Sequence, residues 1–63
     1  MTKEQVVLGM MEVTNNYVRQ MASQQDMDLV AIEQHIESQR ESMAFYYGLV
    51  YDWMQSKNLL NNN

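Results

Sequence analysis

Apolar residues recur at helical spacing from Val6 to Met21, and this pattern predicts a first amphipathic helix. Thr2 and Gln5 have the spacing of a capping box, which places the start of the helix near residue 3. The apolar positions form two parallel rows that together cover roughly 160° of the helix surface. The rows are Val7, Met11, Thr14, Val18, Met21 and Val6, Met10, Val13, Tyr17. A face this wide is typical of a helix that contacts two neighbours in a bundle.

A second apolar pattern alternates steps of three and four residues, which is typical of a heptad seam on a helix. Its members are Leu29, Ile32, Ile36, Gln39, Met43, Tyr46, Val50 and Trp53. Gln39 is the only polar member, and two interpretations stay open: it sets the register of a helical assembly, or it lies at a bundle edge. At the end of the helix, Lys57 suits the last turn and Asn58 suits a left-handed C-terminal cap.

The segment between the two patterns, residues 22–28, lacks large apolar residues up to Asp26 and predicts a turn. Asp26 is the expected N-cap of the second helix, with Asp28 in its first turn and Ser23 as a weaker alternative cap. The sequence therefore predicts an all-α antiparallel hairpin in one domain: helix 3–22, turn 23–27, helix 28–57 and polar tail 58–63. The alternative is one long helix in a coiled-coil oligomer, because Leu29 and Ile32 return to the face of the first pattern.

Residues 43–54 hold five of the six aromatic side chains and are apolar on nearly every side of a helix. Met43, Tyr47, Val50 and Met54 share one face, and Phe45 and Leu49 point the opposite way. We expect the row from Val6 to Tyr17 to cover Met43, Tyr46, Val50 and Trp53. The exposed remainder predicts a homodimer, most simply a four-helix bundle, with Gly48 near the closest helix approach. The predicted interface residues are Phe45, Gly48, Leu49, Tyr51 and Trp53.

Composition narrows the classes of function. The net charge of −4 and the scattered Lys and Arg residues predict no nucleic-acid partner and no anionic membrane surface as partner. The chain has no cysteine and one histidine, His35, whose helical neighbours Ser38 and Gln39 are not metal ligands. No nucleophile–base pair is recognisable, so we expect no enzyme and no cofactor or metal. Without a signal-peptide pattern or an 18-residue apolar run, the expected location is the cytoplasm.

These features predict a small, acidic, self-associating protein-interaction module that acts as a regulator, inhibitor or adaptor. Its binding surface is expected to be helical and rich in aromatic residues and in the seven methionines of the chain. The alternative is a purely structural component of a helical assembly. An adaptor leaves an exposed apolar patch on a closed oligomer, whereas a structural component leaves none or forms open-ended assemblies.

Overall fold

The computed structural model describes residues 1–60, and these residues form three helices and no strand. The helices are α1 (Lys3–Gln24), α2 (Leu29–Ser38) and α3 (Arg40–Ser56). The all-helical prediction is confirmed, but the expected second helix 28–57 is wrong, because it is divided at Gln39. The outer part of the predicted polar tail, residues 61–63, lies outside the described residues.

The start of α1 is fixed by the capping box that the sequence predicts. The Gln5 backbone N–H donates to Thr2 Oγ1 at 3.2 Å, and the Thr2 N–H donates to Gln5 Oε1 at 3.0 Å. Two backbone donors that no helical carbonyl can reach are therefore satisfied by side chains. The prediction of a helix start at residue 3 is confirmed.

The connection between α1 and α2 uses two aspartates in different roles. Asp26 has a φ of 56° and ends α1, with the Met27 N–H bonded to the Ala22 carbonyl at 3.0 Å in a Schellman arrangement. Asp28 is the N-cap of α2, because its Oδ1 accepts from the Val30 N–H at 2.9 Å. The expectation of Asp26 as the N-cap is wrong, since a left-handed residue closes the preceding helix instead.

The break between α2 and α3 is a bend at Gln39 rather than a loop. Ser38 Oγ donates to the His35 carbonyl at 2.7 Å, and the Gln39 N–H shares that carbonyl at 3.1 Å. A serine that bonds back to its own helix competes with the backbone and commonly bends it. The ladder resumes directly, with the Met43 N–H bonded to the Gln39 carbonyl at 2.9 Å.

Helix α1 packs against both α2 and α3. The side-chain hydrogen bonds between them are antiparallel: the start of α1 pairs with the end of α3, and the later part of α1 pairs with α2. The hydrogen-bonded pairs are Lys3 with Asp52, Thr14 with Tyr47, and Arg19 with Glu33. The chain therefore folds back between residues 24 and 29, and the alternative prediction of one uninterrupted helix is wrong. The fold is elongated: its radius of gyration is 14.1 Å, against about 10.6 Å for a compact chain of this length.

The core is small and lies along one side of α1. The buried side chains are Val7, Met11, Ala22 and Ile36, and none of them belongs to α3. The row that begins at Val7 is thus the inward face of α1. The expected packing of the other row against the second helix is wrong for four of its eight residues, because Val13, Tyr17, Tyr46 and Trp53 are 71%, 62%, 61% and 55% exposed.

The C-terminal end of α3 repeats the arrangement at the end of α1. Asn58 has a φ of 62°, and the Leu59 N–H bonds to the Met54 carbonyl at 2.9 Å. The left-handed cap predicted at Asn58 is confirmed. Within residues 1–60, no helix is both long enough and apolar enough to cross a membrane.

Candidate protein-interaction surfaces

The aromatic helix α3 has one face toward α1 and one face toward solvent. Met43, Tyr47, Val50 and Met54 are half-buried, and the Tyr47 hydroxyl shares a hydrogen bond with Thr14 Oγ1. On the opposite face, Phe45 is 71% exposed, Leu49 52% and Trp53 55%. We call Phe45, Leu49 and Trp53 the outer row; its members are four residues apart and form one ridge on the helix. The two faces that the sequence assigns to this segment are confirmed.

The five predicted interface residues fall into different surroundings. Phe45, Leu49 and Trp53 form the outer row, whereas Tyr51 is half-buried and lines a small cavity with Val6. Gly48 lies beside α1, and a Cβ placed on it would lie 3.6 Å from Lys3 Cε. That distance is an ordinary van der Waals contact, so the packing within one chain does not require glycine at this position.

A second apolar surface lies between α1 and α3 on another side of the fold. This α1–α3 groove is shallow and open to solvent, has a volume of about 580 Å³, and is lined by no charged side chain. Its apolar lining includes Met1, Val6, Met10, Val13, Tyr47 and Leu60. The sequence pattern predicts core positions for the α1 residues of this groove and therefore does not predict the groove. The signal was the width of the apolar face of α1, which exceeds what one neighbouring helix covers.

The ion pair between Arg19 and Glu33 lies away from both apolar surfaces. Arg19 binds Glu33 through two nitrogens, one of them Nη2 at 3.0 Å from Glu33 Oε1, and Arg19 Nη1 donates to Asn16 Oδ1 at 2.9 Å. The hydrogen bond from Arg19 lowers the pKa of Glu33, and burial opposes that change. The same hydrogen bond raises the pKa of Arg19. The forked geometry fixes α2 against α1 rather than presenting a charged binding site.

Three glutamates, Glu33, Glu37 and Glu41, follow one another at four-residue steps but do not form a metal site. Glu33 pairs with Arg19, and Glu37 pairs with Arg40 at 3.1 Å. In the part of the chain that the structure describes, no three His, Asp or Glu side chains are arranged to hold a metal ion. His35 lies beside a shallow cavity lined mainly by Gln39, Ser42, Met43 and Tyr46.

Both surfaces consist mainly of apolar and aromatic side chains. The outer row offers two aromatic side chains and one leucine, which are residue types that anchor protein interfaces or cores. The groove contains methionine side chains, which are flexible, and the rigid aromatic ring of Tyr47. The chain as a whole matches no protein-family model, no curated protein and no solved structure.

Proposed function

We propose that this chain is a small, acidic, self-associating protein-interaction module that acts as a regulator, inhibitor or adaptor. One observation carries the proposal: α3 holds five of the six aromatic residues of the chain, yet none of the residues of α3 is buried. Large exposed apolar patches on small proteins mark interaction sites. A second copy that covers the outer row removes this exposed surface from water and stabilises the fold.

The simplest assembly is a homodimer in which the two α3 helices pack together. Each α1 then lies on the far side of its own α3, and the two α1 and two α3 helices together form a four-helix bundle. Taking about 200 Å² for a large apolar side chain, the outer row exposes about 350 Å² in each copy. Two copies supply about 700 Å², roughly half of a standard interface, so we expect a micromolar dissociation constant.

The α1–α3 groove supports the adaptor part of the proposal. It is separate from the outer row, so it stays open when two copies pair through α3. An amphipathic helix of a partner protein fits such a groove through its apolar side chains. Met10 on one wall and Tyr47 on the other give the groove both an adaptable and a rigid aromatic contact.

Two substitutions of the same kind test the groove. Val13 in the groove is 71% exposed and Val30 on α2 is 67% exposed, so a glutamate at either position leaves the core intact. In affinity purification from the source organism with mass spectrometry, we expect a partner captured by the wild type and by Val30→Glu. The same partner should be lost with Val13→Glu. Equal capture by both variants contradicts the groove as docking site.

A purely structural role is the second candidate, and the presence of two separate apolar surfaces favours it. If the outer row of one copy binds the groove of the next, the contacts are heterologous, and the assembly grows into a filament unless it closes into a ring. Sedimentation velocity separates the two candidates. An interaction module reaches a constant dimer mass as its concentration rises, whereas a structural component continues to increase in mass.

A further inference from the structure

The outer row continues beyond its apolar members and ends in opposite charges. Glu41 precedes Phe45 by four residues, and Lys57 follows Trp53 by four residues at the C-terminal end of α3. Both side chains are exposed, and neither takes part in any of the ion pairs that residues 1–60 form. The extended row therefore reads acid, aromatic, leucine, aromatic, base, with Leu49 at its centre.

This order is self-complementary for two chains that run in opposite directions. We propose that a second copy of this chain binds the outer row antiparallel, with the two-fold axis at Leu49. The axis sets Phe45 against Trp53 of the partner, and Glu41 against Lys57 of the partner, each pair occurring twice. This inference rests on the proposed self-association and adds its geometry. Ridges with a four-residue step pack into the grooves of the facing helix at about −50°, so this pairing crosses the two α3 helices more steeply than the roughly 20° of a regular four-helix bundle.

Charge favours a second copy in this orientation over other pairings. Each chain carries a net charge of −4, so two copies repel unless opposite charges meet at their contact. A parallel pairing sets Glu41 against Glu41, whereas the antiparallel pairing sets each acid against a base. Asp52, the acid beside the row, is already neutralised by Lys3 at 3.0 Å. The α1–α3 groove has no charged side chain and offers no comparable means of fixing an orientation.

Charge exchange within the full chain tests the geometry. Glu41→Lys leaves two bases on each row, and Lys57→Glu leaves two acids, so each variant opposes like charges in its homodimer. We expect each to raise the dimer Kd roughly tenfold at low salt, with the difference vanishing near 1 M salt. The double variant Glu41→Lys with Lys57→Glu should recover wild-type affinity. An equimolar mixture of the two single variants should form heterodimers more tightly than either forms homodimers.

Glu4→Lys is the matched control, because it makes the same change of charge on α1. Sedimentation equilibrium measures the dimer Kd of the wild type, the three row variants, the mixture and the control. Recovery in the double variant and in the mixture supports the antiparallel row, since altered helix stability alone produces neither. If the wild type dimerises but Glu4→Lys acts like Glu41→Lys, or the double variant does not recover, the geometry is overturned and self-association stands. A monomeric wild type overturns both.

Discussion

Replacement of Gly48 by alanine tests how closely α3 approaches its surroundings. Glycine inside a helix costs about 0.5–1 kcal/mol relative to alanine, because it loses more backbone freedom on folding. The added Cβ at Gly48 meets only Lys3 Cε at 3.6 Å and Nζ at 3.9 Å. Both atoms belong to a flexible side chain at ordinary contact distance, so the single chain gains nearly the full propensity difference.

Gly9→Ala is the matched control on α1, since a Cβ there has no neighbour within 4 Å. At low concentration, where the chain is monomeric, each variant should raise the free energy of unfolding by about 0.5–1 kcal/mol. For so small a domain, that corresponds to a rise in Tm of roughly 2–8 °C. Urea denaturation measures the free energy of unfolding and thermal denaturation measures Tm, each followed by far-UV circular dichroism. Destabilisation by Gly48→Ala with stabilisation by Gly9→Ala refutes the spacing of α1 and α3.

The same pair of variants reports on the dimer at high concentration. The sequence places Gly48 at the closest approach of a partner helix, where a methyl group forces the helices apart. If that placement is right, Gly48→Ala raises the dimer Kd while it stabilises the monomer. Gly9→Ala leaves the Kd unchanged. Equal dimer affinities for both variants remove Gly48 from the interface and leave the outer row as its only part.

Three further substitutions test separate parts of the account. Phe45→Ala with Leu49→Ala removes roughly 4–6 kcal/mol of apolar contact over two copies, and sedimentation should show a Kd raised about a thousandfold. Val30→Ala, also an exposed apolar site, should leave Kd unchanged. Asp28→Ala removes the cap of α2 and should cost about 1 kcal/mol in urea denaturation. Glu33→Gln should lower Tm at neutral pH but not in acid. The pKa of Glu33 is depressed in the folded state, so the stability that its ion pair with Arg19 contributes is lost as the pH falls through that pKa.

Much of the local structure follows from the sequence, because it depends on short-range rules. The capping box at Thr2 and the left-handed cap at Asn58 each involve residues within a few positions of one another. The assignment of Phe45 and Leu49 to the outward face follows from helical geometry alone. The sequence does not distinguish which of Asp26 and Asp28 ends α1 and which caps α2, since Asp suits both an N-cap and a left-handed position.

The bend at Gln39 and the position of the groove depend on information that periodicity does not carry. The heptad seam runs without interruption through Gln39, but the hydroxyl of Ser38 alters the helix there. Beyond the bend, the side chains toward α1 include Tyr47 and Met54, so Tyr46 and Trp53 of the seam are left exposed. A wide apolar face shows that two neighbours are needed, but it does not show whether both belong to the same chain.

Self-association through α3 is the central claim, and sedimentation equilibrium of the wild type tests it most directly. Concentrations from roughly 5 to 200 micromolar span the affinity expected for an interface of this area. We expect a mass that rises from the 7.5 kDa of one chain toward twice that value and then stays constant. A mass that remains at one chain across this range contradicts it.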